Sequence, residues 1–156
     1  MSIYGAIIEQ FCVTISTDAA LGPHPLRLEE ADLGHASLDG LNLAGANLRG
    51  ADLRGAYMRN TVLLGAILTG ADLTAADLVN ADLAVAALDS AILEGADLRG
   101  ADLEGASLKG AFLKGAFLRG ARFKGADMSG ADLVGAYTKG ARGIGEESGV
   151  GYTGGY

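Results

Sequence analysis

An all-β solenoid, a chain wound into stacked coils, is the fold this sequence predicts, and three observations predict it. From Ala31 to Gly140 the chain divides into 22 consecutive five-residue units without an insertion or deletion. The third place of each unit is Leu in 18 of the 22, with Met58, Phe123, Met128 and Thr138 as the exceptions. The fifth place is Gly in 16, and Asn60, Asn80 and Ser90, residues also suited to turns, fill three of the gaps.

The period itself selects the architecture. An α-helix advances about 100° per residue, so leucines five apart would spiral around it and never form one buried stripe. Such a helix would also carry a glycine every fifth residue, each costing roughly 0.8–1 kcal/mol relative to Ala. A straight strand alternates its faces, so an odd period would throw successive leucines to opposite sides. The arrangement that survives bends the chain once per unit and points every third-place Leu inward. Glycine at the fifth place frees the backbone for the bend. The second place, Asp or Asn in 11 of the 22 units, supplies side chains that bond nearby turn backbone. The first place is Ala in 20 units, broken only by Leu41 and Thr61. A chain bent this often satisfies its peptide groups only by bonding the coil above and the coil below.

Tandem A(D/N)LxG units such as ADLRG, ANLRG and ADLEG resemble the pentapeptide-repeat family, and the resemblance covers residues 31–140. What it implies is a right-handed β-helix of square cross-section with four units per coil. Twenty-two units then make five and a half coils, a rod roughly 26 Å long at the usual ~4.8 Å between paired strands.

Three segments follow. Residues 1–25 are an N-terminal cap and linker, 26–140 the repeat helix, with Leu26 and Leu28 as a degenerate lead-in, and 141–156 a Gly-rich tail. In the first, Ile3, Ile7, Ile8, Phe11, Cys12 and Ile15 sit at near-helical spacing, while the β-branched run from Phe11 reads equally as a strand. Either form would cover the open first coil. Gly22, Pro23 and Pro25 mark the boundary. The tail holds 6 glycines and no helix-forming face, so no cap helix is expected there.

Composition narrows the function. The chain has 156 residues, 49% apolar and 20% charged, enough for one ordinary domain and too apolar for a disordered one. One cysteine excludes an intrachain disulfide framework and a Cys-based zinc cluster. No apolar run approaches membrane-spanning length, and the first ten residues lack a basic leader, so a cytoplasmic location without a membrane span is expected. A net charge of −7 opposes general nucleic-acid binding.

Catalytic chemistry finds no foothold. His24 and His35 lie near Glu29, Glu30 and Asp32, but at no metal-ligand spacing, and they read as solvated surface. Cys12 reads as a small core residue, because no histidine is positioned to activate it. Asp52 and Asp72 would stack 20 residues apart; turn chemistry explains them before cation binding or phosphate mimicry does. Neither an enzyme nor a cofactor is expected.

Information about partners is confined to the outward second and fourth places. Residues 106–125 carry Lys109, Lys114, Arg119, Arg122 and Lys124 and no acid, with Phe112 and Phe117 in second places. Two readings stand: a contact patch, as aromatic and Arg enrichment at interfaces suggests, or rings that only cover neighbouring coils. In the tail, Tyr152 and Tyr156 are further candidate anchors, docking on a partner or on a second copy through the C-terminal end. The sequence thus predicts a non-catalytic module presenting a rigid rod to a protein partner or assembly. Its partner-binding candidates are Phe112, Lys114, Phe117, Arg119, Tyr152 and Tyr156. The alternative implied by the resemblance is the role of some family members, gyrase-binding DNA mimics that counter quinolones. Those are longer rods that dimerise through a C-terminal helix and carry acids along their axis. Residues 31–140 hold 13 acids against 10 bases, a poor match to such a surface.

Overall fold

Asp52 bridges to Asp72, Asp72 to Ile92, and Ile92 to Phe112, always in parallel and always 20 residues on. This register runs through the whole computed structural model, which describes residues 25–144. Twenty such bridges fall into four columns of five, so each coil takes four units and the described residues make six coils. The first face stacks Arg27, Asn47, Ile67, Ala87, Ser107 and Asp127. The second stacks Asp32, Asp52, Asp72, Ile92, Phe112 and Asp132, and the third Ser37, Tyr57, Asp77, Asp97, Phe117 and Tyr137. The fourth carries Asn42, Val62, Asp82, Asp102, Arg122 and Arg142.

The ladder is longer than the perfect repeat by one unit at each end. Leu26 to Glu30 already coils, because Leu28 keeps the inward place and Glu30 takes the corner conformation at φ 55°. At the other end Ala141 and Arg142 continue the ladder, and Gly143 stands where Leu would. The expected cap in residues 1–21 lies outside the described residues, as do His24, Cys12, Tyr152 and Tyr156.

Backbone accounting explains why the unit has five residues. The third-place N–H donates to the second-place carbonyl of the next coil, as Leu53 does to Asp72 at 2.7 Å. The second-place N–H donates back to a first-place carbonyl, Asp72 to Ala51 at 3.0 Å. The fifth-place N–H reaches a fourth-place carbonyl, Gly95 to Lys114 at 2.9 Å. The first-place N–H closes the corner, Ala76 onto Leu73 at 3.0 Å. With a turn at every corner, no strand longer than a single bridged residue forms among the described residues.

One donor per unit, the fourth-place N–H, is left over by the ladder, and where the second place is Asp or Asn that side chain takes it; the Arg59 N–H instead donates to Asp39 at 2.6 Å. All 11 Asp and Asn residues at that place accept from the N–H two residues on, at 3.0 to 3.3 Å. The turn-chemistry reading of these acids is therefore correct.

Inside, the third-place leucines from Leu33 to Leu118 are 0–2% exposed, as are Met58, Phe123 and Met128. First-place alanines pack beside them. Thr61 is the one buried polar residue among those described, and its hydroxyl donates to the Leu38 carbonyl at 2.8 Å.

Corners require a left-handed residue at the fifth place. Glycines adopt it at φ 61–74°, and His35, Ala75 and Val85 do so at 57°, 55° and 50°. For a β-branched L-residue this is the costliest case, since the left-handed region penalises such residues by roughly 1–2 kcal/mol. Val85 is 61% exposed, so it recovers little by burial. Replacing Val85 by Asn, the residue already found in the same place at Asn60 and Asn80, should stabilise the rod by about 1 kcal/mol. Urea titration of the two proteins checks this; an unchanged midpoint would contradict it.

Candidate interaction face

The residues singled out in the sequence divide between two faces. Phe112 lies on the second face between Ile92 and Asp132, 43% exposed. Phe117 lies around the corner on the third face, 41% exposed. They are five residues apart in sequence but on different sides of the rod.

The cations divide in the same way. Lys114 Nζ lies 3.3 Å from Asp132 Oδ2, and Lys109 Nζ is 3.3 Å from Asp127 Oδ2. Arg122 is drawn back toward Asp102 Oδ2 at 3.2 Å and Glu104 Oε1 at 2.6 Å. Apart from Arg122–Asp102, which stack 20 residues apart, these pairs obey a rule of the coil: a fourth-place side chain reaches the second place 18 residues on. Arg59 meets Asp77 at 2.6 Å, and Asn47 donates to Glu29 at 2.7 Å, by the same spacing. A stretch that is purely basic along the chain is thus partly neutralised across coils. Arg119 has no ion pair among the described residues.

On the third face Phe117 gains a neighbour that sequence reading missed. Tyr137, 58% exposed, stacks on it with ring centroids 4.9 Å apart and planes within 4°. The separation is simply the spacing between coils. The signal was present in the sequence, since Tyr137 stands 20 residues after Phe117. Arg119 and Lys139 occupy the adjoining fourth places, and neither has an acidic partner among the described residues. The result is an exposed aromatic pair flanked by two unneutralised cations.

On the neighbouring second and third faces several acids are paired with arginines. In a shallow recess at the edge of the second face, Arg54 binds Asp52 through two bonds, Nε to Oδ1 at 2.8 Å and Nη2 to Oδ2 at 2.5 Å. That pairing holds the Asp52 carboxyl below the ordinary carboxylate range, and Arg99 does the same for Asp97. Asp127 is lowered chiefly by its bond from Ser129, and Asp132 by the Val134 N–H. Among the described residues no group of His, Cys, Asp and Glu could hold a metal ion. Among the described residues there is no helix long and apolar enough to cross a membrane.

Comparison with known proteins gives the repeat its place. The family model for pentapeptide repeats matches in eight copies, over residues 27–63, 66–105 and 101–137. The chain belongs to the pentapeptide-repeat family. No curated protein matches it. Among solved structures, this pentapeptide-repeat chain is similar to trypsin-treated QnrB1 R167E, a plasmid-mediated fluoroquinolone resistance protein. The TM-score is 0.63 and the identity 23%, over 74% of this chain and 64% of that one. The pentapeptide-repeat chain therefore spans less than two thirds of that protein, and the likeness is one of fold. It is also similar to the pentapeptide repeat protein Rfr23 from the cyanobacterium Cyanothece 51142, at 32% identity over 80% of this chain and 69% of that one, TM-score 0.37. A pentapeptide repeat protein of the Arabidopsis thaliana thylakoid lumen is 33% identical over 67% and 66% of the two chains, TM-score 0.34.

Proposed function

We propose that this chain is a non-catalytic interaction module, a right-handed square β-helix whose third face engages a protein partner. The observation that carries the reading is the Phe117–Tyr137 stack. Two exposed aromatic rings held in register by the coil cost little entropy to dock, and Arg119 beside them is of the type enriched at binding hot spots. The rest of the surface supports it by contrast. Every second-place acid of residues 31–140 is already committed to a turn N–H group, and Asp52, Asp77, Asp97, Asp102, Asp127 and Asp132 each have a cation within 4 Å. A surface that imitates a phosphate array needs its acids unneutralised along the axis, so gyrase mimicry is the weaker reading.

The test is affinity capture from the native host with the wild-type chain and the Phe117→Ala/Tyr137→Ala variant. Because both rings are exposed, the variant should keep its circular dichroism spectrum and its midpoint. It should retain a stoichiometric partner at least about tenfold less well, the loss expected when hot-spot aromatics are truncated. Equal retention would refute the assignment to this face. Inhibition of gyrase supercoiling by the wild type, unchanged in the variant, would favour the mimic instead.

A further inference from the structure

Charge is distributed unevenly around the last two coils. Residues 116–125 and 136–144, which form the third and fourth faces there, carry Arg119, Arg122, Lys124, Lys139 and Arg142 and no acid. Residues 106–115 and 126–135, on the other two faces of the same coils, carry only Lys109 and Lys114, each closed by an aspartate one coil on. One side of the rod end is neutral and the other strongly basic. Of the five cations only Arg122 has an ion pair among the described residues, and it reaches back to the fourth coil to find one.

This clustering works against folding. Arg122 and Arg142 are direct bridge partners, and like charges facing each other across a ladder are destabilising. Elsewhere like charges that stack are acids with a turn to serve, as Asp52 and Asp72 each accept from the N–H two residues on, a bond that no cation can make. Unpaired cations stacked on one side of a chain of net charge −7 are therefore a feature that packing and turn chemistry do not explain.

We infer that this side of the last two coils binds an acidic polypeptide segment, with carboxylates meeting Arg119, Lys124, Lys139 and Arg142 and an apolar side chain laid on the Phe117–Tyr137 stack. The inference rests on the interaction-module reading and names the chemistry of its partner. A polypeptide fits better than a nucleic acid because the basic surface ends abruptly. The fourth coil carries Asp89, Glu94, Asp97, Asp102 and Glu104 against Arg99 alone. Along the axis the basic surface covers two coils, about 10 Å at ~4.8 Å each. Single-strand binders instead track roughly 4–16 nucleotides along a continuous positive groove. An extended peptide places alternate side chains about 6.6 Å apart, which suits cations spaced over two coils.

Fluorescence anisotropy with the full chain and three labelled probes tests this. The probes are a Glu-rich 12-residue peptide with one central Leu, the same peptide with Gln for every Glu, and a 12-mer of oligothymidine. At about 50 mM salt the acidic peptide should bind, and raising the salt to about 300 mM should weaken it. The Gln peptide and the Arg119→Glu/Arg142→Glu variant should each cost at least roughly tenfold in affinity. Arg27→Glu/Arg49→Glu makes the same charge change on the first face and should leave binding within about twofold. Oligothymidine binding as tight as the peptide's, equal losses in the two variants, or no binding of the acidic peptide would overturn the inference. If the peptide fails while a host protein is still captured through Phe117 and Tyr137, the acidic chemistry falls and the interaction reading stands.

Discussion

Leu73→Ala should lower the unfolding free energy by about 2–5 kcal/mol, the range for a fully buried Leu whose cavity only partly collapses. Leu73 is 0% exposed and stands in a column with Leu53 and Leu93, also 0%. Each inward Leu is enclosed by coils above and below, so a hole at the third coil removes contacts on both sides. The ladder bonds Leu73 N to Ile92 O at 2.7 Å and Leu93 N to Phe112 O at 2.7 Å, which limits how far the backbone can sink into the gap. Urea denaturation followed by circular dichroism reads the loss. Lys114→Ala is the contrast: an exposed ion pair with Asp132, it should shift stability by less than about 0.5 kcal/mol. A Leu73 variant within about 1 kcal/mol of wild type would show that the interior repacks far more freely than close packing allows.

Ala96→Leu should cost about 1–3 kcal/mol through the opposite fault, overpacking. Ala96 is 0% exposed at the first place of the fourth coil, with the ladder closed on either side. The exceptions at this place show what it tolerates. Thr61 fits while buried because its hydroxyl bonds the Leu38 carbonyl. Leu41 sits in the first coil and is only partly buried, so its extra volume spills outward. By that reasoning Ala126→Leu, in the partly buried last coil, should cost less than the same change at Ala96. Equal denaturation midpoints for the two variants would contradict the argument.

The family match adds a frame to these expectations without supplying a partner. What it shares with its neighbours is the coil; what distinguishes this chain lies in outward places that the motif leaves free. On that surface the Phe117–Tyr137 stack and the cations beside it are the departure, and both proposals rest on them.

What the sequence determined by itself is everything that acts over a few residues. The period of five dictates one bend per unit, and hence that Leu53, Leu73 and Leu93 point inward. The fifth-place glycines announce the left-handed corner, and the second-place Asp and Asn residues announce bonds to an N–H two residues away. Each of these acts within a single unit, and the repetition of units makes it plain. The tertiary structure alone decided which side chains meet. Lys114 and Arg119 look alike in the chain, yet Lys114 is neutralised by Asp132 and Arg119 has no such acid. Phe112 and Phe117 look like one patch, yet a corner separates them and Tyr137 stacks on Phe117 instead. The reason is the circumference of the coil. Neighbours on the surface are 18 to 20 residues apart, a distance set by four units per turn and carried by no local signal in any one of them.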